Sequence, residues 1–184
     1  RAFQGRRSLK LDVSIQSGSY HYWGVAVRVP CAGKLRMSAR IWVDDESTAQ
    51  VGFGANYLFP PTHHSGCTSE ATFGKPTGEW KAVEVDLVEN GRAVANGVMR
   101  GWTTTVKGDN VGVYLDRWAL FIYGGAQSRA VVYLDDVRIE GEVPDEATYT
   151  QEIQQRWAGT ADSFRAQMAG LSDQLQQAVE SISA

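Results

Sequence analysis

The chain has no apolar run approaching membrane-spanning length, so no transmembrane segment is predicted. It has only two cysteines, Cys31 and Cys67. Their spacing matches no metal motif, and the sequence leaves one disulfide and two free thiols equally open. No basic cluster is available to neutralise phosphates. The 18 Lys and Arg are outnumbered by 21 Asp and Glu, for a net charge of −3, which excludes a nucleic-acid binder. Also missing are a Ser-His-Asp order, a Gly-rich phosphate loop and a Cys-based catalytic site. The sequence starts at Arg1 without Met or signal peptide and reads as a piece of a longer protein.

What is present is the material for one sizeable core: 184 residues, 43% hydrophobic, with six Trp, seven Tyr, six Phe and 19 Gly. Up to Pro144 short alternating runs are separated by Gly, Asn, Asp and Pro. Leu9, Leu11, Val13 and Ile15 alternate with polar residues. Val25, Val27 and Val29 follow Tyr20–Gly24. Leu35, Met37, Ala39, Ile41 and Val43 form an inward row, as do Val51, Phe53, Ala55, Tyr57 and Phe59. Val83, Val85 and Leu87, then Val111, Val113 and Leu115, then Trp118, Leu120 and Ile122, continue the pattern. About eight strands with no helix between them predict an all-β antiparallel sandwich. Segments 60–79 and 88–109 read as long loops.

After Pro144 the period changes. Trp157, Ala161, Phe164, Met168, Leu171, Leu175, Ala178 and Ile182 recur at alternating steps of four and three, a heptad seam on an amphipathic helix. The predicted organisation is a sandwich over 1–143 and a helical segment over 144–184. The seam needs a partner: the sandwich, another copy, or a downstream domain.

The last strand of the sandwich reads Val131-Val132-Tyr133-Leu134-Asp135-Asp136-Val137-Arg138-Ile139. Val131, Tyr133, Val137 and Ile139 share one parity and are expected to face the core. Asp135 shares that parity, and an inward carboxylate requires a cation or several donors. Together with Gly5–Leu11, Leu35–Val43 and Thr77–Trp80, this strand resembles the jelly-roll carbohydrate-binding modules of families 4, 9 and 22, within the galactose-binding-like sandwiches. The resemblance covers residues 5–141. It implies a jelly-roll fold, a secreted or cell-surface location, and non-catalytic binding of a polysaccharide or oligosaccharide on behalf of an attached glycoside hydrolase or similar catalytic domain. It also implies a structural calcium ion held by Asp135 or Asp136. The alternative is a structural spacer that positions a neighbouring catalytic domain and binds no glycan.

Sugar rings present C–H faces to aromatic surfaces and hydroxyls to polar side chains, so exposed aromatics beside polar groups are the candidate site. The outward row of the third strand offers Trp42 beside Arg36 and Arg40. Tyr114, Phe121 and Tyr123 have outward parity; Tyr20, Tyr22 and Trp23 lie at a strand entry, and Trp102 in the 88–109 insertion. Trp80 and Trp118 are expected in the core, and His63 and His64 at a loop surface. Glu84-Val85-Asp86-Leu87-Val88-Glu89 fits the E-x-D-x-x-E string of laminarinase-like hydrolases. Asn90-Gly91 reads as a turn ending that strand, and an enzyme is not the expected reading.

Overall fold

A computed structural model of the chain describes residues 1–16, 19–59, 63–64, 68–102 and 112–182. Within them, the structure describes the backbone alone at 19, 59, 63–64, 68–70 and 96–102, and at 156–157, 160–161, 163–164, 167 and 178–182. The order of elements is β1 (Leu9–Ile15), β2 (Ser19–Pro30), β3 (Lys34–Val43), β4 (Gln50–Phe59), β5 (His63–His64), β6 (Thr68–Phe73), β7 (Lys81–Asp86), α1 (Leu87–Trp102), β8 (Tyr114–Gly124), β9 (Ser128–Glu142) and α2 (Glu146–Ile182). The chain divides into two compact units, Arg1–Pro144 and Asp145–Ala184.

The first unit is an antiparallel β-sandwich. One sheet runs β1-β9-β3-β7; the other runs β2-β8-β4-β5, with β6 also pairing with β4. The alternating rows meet between the sheets. Met37, Ile41 and Val43 from β3 and Val51, Phe53 and Tyr57 from β4 are fully buried, with Leu115, Leu120 and Ile122 from β8 and Val132 and Leu134 from β9. Strand periodicity of two, with one face dry, sets this register.

Three sequence expectations are corrected here. The segment after Asp86 is a helix, not a turn and a loop. Asp86 Oδ1 accepts the backbone N–H groups of Val88 and Glu89, both at 3.0 Å. That is an N-cap with Glu three positions on, the arrangement of a capping box. Leu87 and Ala95 then bury one face of α1 at the end of the core. Gly91, which resembles a turn signal in sequence, lies where a Cβ would come within 2.8 Å of Cys31 Sγ and 3.1 Å of Tyr57 Cε1. Its role is close approach of the helix to the core.

The runs around Val113–Leu115 and Trp118–Ile122 belong to one strand, β8. Asp116 is inserted between Arg117, which pairs with Asn56, and Leu115, which pairs with Tyr57. The insertion switches inward parity from odd to even, which is why one strand looks like two.

The third correction concerns β9. Against β3 the register shifts between Ser38 and Arg40, which face Arg138 and Asp135, and Asp136 has φ 50°. The extra residue flips the parity. Ala130, Val132 and Leu134 face the core, with Val137 and Ile139 packed against it beyond the bulge. Tyr133 and Asp135 face outward, while Val131, of the same parity, is buried as expected.

The second unit is the single 37-residue helix α2. Asp145 caps it: Oδ1 accepts the Thr148 N–H at 3.0 Å and Oδ2 the Thr148 hydroxyl at 2.6 Å. Met168, Leu171 and Leu175 of the heptad row are exposed by 60–69%.

Candidate functional site

The outward face of the four-stranded sheet holds Trp42, Arg40, Arg36, Asp135 and Tyr133. Trp42 is opposite Tyr133, and Arg40 opposite Asp135. Trp42 is not an open platform. The Arg1 guanidinium lies 4.1 Å from the Trp42 ring centre and 5.8 Å from that of Tyr133, and it pairs with Asp44 at 3.4 Å. Trp80, expected in the core, instead meets Trp42 edge-on at 6.1 Å and Phe3 edge-on at 6.0 Å. Arg40 lies 4.6 Å from the Phe3 ring centre. This chain of cation–π and edge contacts fastens the segment around Arg1–Phe3 over the sheet.

Asp135 completes that attachment. Its Oδ2 accepts the N–H groups of Phe3 at 2.7 Å and Gln4 at 3.2 Å, and its Oδ1 accepts the Asp136 N–H at 2.8 Å. Burial pushes its carboxyl upward, but the three backbone donors outweigh that and hold it below the usual carboxylate range. Asp136 accepts from Arg138 Nε at 2.7 Å. Among the described residues, no group of three or more His, Cys, Asp or Glu is placed to hold a metal. Calcium takes six or more oxygen ligands. Asp135 and Asp136 as placed accept from these N–H donors.

The hydrolase-like string has a structural explanation. Glu84 and Arg36 are both exposed, 4.0 Å apart, and Asp86 caps α1. Glu84, Asp86 and Glu89 line a hollow of about 330 Å³, with no aromatic among its described lining residues. A neighbouring cleft of about 480 Å³, lined by Lys34, Arg36, Asp86, Glu89, Arg92 and Glu140, is charged in both signs and also has no aromatic among its described lining residues.

Aromatic side chains gather instead on the outward face of the five-stranded sheet. Cross-strand pairing puts Tyr20 beside Tyr123 and Gln50 in one row, and Tyr22 beside Phe121, Gly52 and Thr72 in the next. Tyr20 and Tyr123 have ring centres 6.1 Å apart; Phe121 and Tyr123 stack at 6.3 Å with planes 28° apart. Tyr20 is 58% and Tyr22 49% exposed, while Phe121 is fully buried. Gln50 and Thr72 are exposed polar neighbours. Farther along lies a charged group: buried Asp116 accepts from Arg117 Nε at 2.8 Å, with Arg28 Nε 3.7 Å away. Arg28 sits at a register shift with φ 56°.

Of the predicted site residues, the fold therefore brings Tyr22 and Tyr123 together on one face, with Tyr20 and Phe121. Tyr114 lies at the far end of the same strand, half-buried. Trp23 has inward parity and meets Trp118 edge-on at 5.3 Å, so it does not join the row. Arg36, Arg40 and Trp42 lie on the other sheet. Trp102 is the last residue of α1, with its side chain outside the described set, as are the side chains of His63 and His64. Gln50 and Thr72 do not stand out in the sequence, because a lone polar residue at a strand position carries no signal until its cross-strand neighbours are known. Cys31 is unpaired and buried, its thiol 3.1 Å from the Leu87 carbonyl, whereas Cys67 lies outside the described residues.

Among the described residues, no helix is long and apolar enough to cross a membrane. No protein-family model and no curated protein matches the sequence. Solved structures similar to the chain include one described as "Family 16 Carbohydrate Binding Module-2", at 12% identity and TM-score 0.42, covering 76% of this chain and 79% of that one. Another, described as "CBM4 structure and function", is 16% identical with TM-score 0.33 and covers 72% of this chain and 84% of that one.

Proposed function

We propose that the sandwich is a non-catalytic carbohydrate-binding module whose site is the outward face of the five-stranded sheet. The observation that carries this reading is the gathering of Tyr20, Tyr22 and Tyr123 around buried Phe121, with Gln50 and Thr72 alongside. Tyrosine supplies a flat apolar face and a polar tip at low entropic cost, which suits a ring with C–H faces and hydroxyl edges. The Tyr20 and Tyr22 rows lie two residues apart along β2, roughly 7 Å. That spacing suits an oligosaccharide or polysaccharide rather than one sugar ring. The strand order, in which the chain alternates between sheets, is read as a jelly roll. Within this proposal the module is secreted or surface-held and brings an attached glycan-active enzyme to its substrate by raising effective concentration.

The test is a polysaccharide and oligosaccharide array with the 184-residue chain, in calcium and in EDTA. The reading expects binding in both. It expects loss of at least about fivefold for Tyr22→Ala with Tyr123→Ala, since aromatic contacts of this kind contribute about 0.5–1.5 kcal/mol each beyond area burial. Trp42→Ala should bind like the parent. Loss in Trp42→Ala alone would move the site to the four-stranded sheet.

The exposed Met168, Leu171 and Leu175 favour a second reading, a spacer that positions a neighbouring domain through α2. An empty array from a folded chain, with a truncation at residue 143 that becomes unstable, would support it. Undiminished glycan binding by that truncation would remove it.

A further inference from the structure

Beyond its first turns α2 runs in the open. Every described side chain from Ala158 to Gln177 is exposed. Met168, Leu171 and Leu175, in line on one face, are 66%, 60% and 69% exposed. A helix in water is held mainly by packing its apolar face, and Gly159 and Gly170 weaken this one further. Three long apolar side chains in a row on such a helix call for a partner.

The row they belong to is complementary to itself. Along Trp157, Ala161, Phe164, Met168, Leu171, Leu175, Ala178 and Ile182 the sizes run large, small, large, large, and then the same order backwards. The row is therefore palindromic in size about a point between Met168 and Leu171. A second copy laid antiparallel puts position 168 opposite 171 at the two-fold axis. Outward from there, large positions meet large and Ala positions meet Ala, each layer joining an a to a d position of the heptad.

The flanks of the row fit the same arrangement. One flank is Thr160, Gln167, Gln174 and Ser181, the other Ala158, Arg165, Ser172 and Val179. Against its own reverse, Gln meets Gln, Thr meets Ser, Ala meets Val, and Arg165 meets Ser172. No like charges are brought together, and Arg165 already pairs with Asp162 of its own helix at 2.5 Å. Coiled-coil partners of other sequence ordinarily bring Glu and Lys to these flanks, where α2 has almost no charge to answer them. The α2 of a second copy brings none that needs an answer.

We propose that α2 is a homodimerisation helix, and that two copies of the chain associate by antiparallel, two-fold pairing of the row between positions 157 and 182. The contact is about 38 Å long. It removes on the order of 1,200–1,500 Å² in total, within the range of specific interfaces. Association is expected at roughly micromolar concentration. The inference rests on α2 alone and stands whether or not the sandwich binds glycan. Two sandwiches on one pair make the assembly bivalent, which raises apparent affinity for a polymeric ligand without any new contact.

Sedimentation velocity of the 184-residue chain from about 0.5 to 200 µM tests this, with circular dichroism followed over the same range. The proposal expects a shift from monomer to dimer and a parallel rise in helical signal. Leu171→Lys with Leu175→Lys should stay monomeric throughout, a weakening of at least about a hundredfold, with the sandwich still folded. Met168→Glu repeats the test if that variant loses its fold. Ala166→Lys with Asp173→Lys, on the opposite side of the helix, should dimerise like the parent. Leu175→Cys in a Cys67→Ser background reads direction. In the antiparallel pair the two introduced thiols lie about 16 Å apart along the axis and stay unbridged under mild oxidation, whereas a parallel pair bridges them. The proposal is overturned by a parent chain that stays monomeric, which would leave a neighbouring domain as the occupant of the row. It is equally overturned by an assembly larger than a dimer, by a dimer that survives Leu171→Lys with Leu175→Lys, or by a Leu175→Cys disulfide.

Discussion

Replacing Asp86 with Ala separates the two readings of the Glu84–Glu89 string. In the structure Asp86 Oδ1 accepts the Val88 and Glu89 amides, two of the donors that the first turn of α1 cannot satisfy internally. Loss of an N-cap of this type costs about 0.5–2 kcal/mol, and the charge at the positive end of the helix adds about 0.3–1 kcal/mol at an exposed site. The helix is coupled to the core through Leu87 and Ala95, and the Tyr57 hydroxyl donates to the Leu87 carbonyl at 3.2 Å. Fraying of the first turn is therefore felt by the whole sandwich. The expected loss is about 1–2 kcal/mol, a fall in Tm of a few degrees for a chain of this size. Asp86→Asn should recover most of it, because Asn caps nearly as well and lacks only the charge. Glu84→Gln should leave stability within about 0.5 kcal/mol, since its Arg36 pair is exposed and long. Urea unfolding followed by tryptophan fluorescence measures all three. An Asp86→Ala midpoint equal to the parent's would refute the capping role. Hydrolysis of a β-glucan abolished by Glu84→Gln would restore the catalytic reading.

Three further outcomes follow from the same geometry. Asp135→Ala should release the segment around Phe3 and Gln4, seen as faster amide exchange at those residues; unchanged exchange would show that the Arg1 and Phe3 ring contacts suffice. Because the Asp135 carboxyl is held below its ordinary range, its contribution is complete above the unfolded carboxyl pKa and is lost as pH falls through the folded value, so acid should mimic the substitution. Hydrogen bonds from Arg129, opposed by an upward push from burial and helped by Lys10, bring the Asp12 carboxyl down to about 2. Arg129→Ala should return it toward 3.8 in an NMR titration, and an unmoved Asp12 would break the assignment. Burial, with Asp86 nearby, pushes the Cys31 thiol up to about 12. In a Cys67→Ser background it should resist a disulfide reagent at pH 8 until the chain is unfolded, and reaction within minutes in the native state would contradict the burial.

The sequence alone determined the sandwich and much of its core. Strand alternation is a local signal, because one dry face forces a period of two on Leu35–Val43, Val51–Tyr57 and Val83–Val85 wherever the strand lies in the fold. The same locality explains the misreadings. A bulge adds a residue that is visible only against the partner strand, so Asp136 sent Asp135 outward and Asp116 made β8 look like two strands. Gly91 carries the same letter whether it turns a hairpin or lets a helix close on Cys31 and Tyr57, and Asp86 is the same residue in a catalytic string as in a helix cap. Tertiary structure also decided which aromatics are open. Trp42 has the outward parity its strand predicts, but Arg1 lies across it from forty residues away, while Tyr20, Tyr22 and Tyr123 form a row only because β2 and β8 pair in one register. Parity fixes which way a side chain points; what stands in front of it is set by long-range packing, which no local pattern encodes.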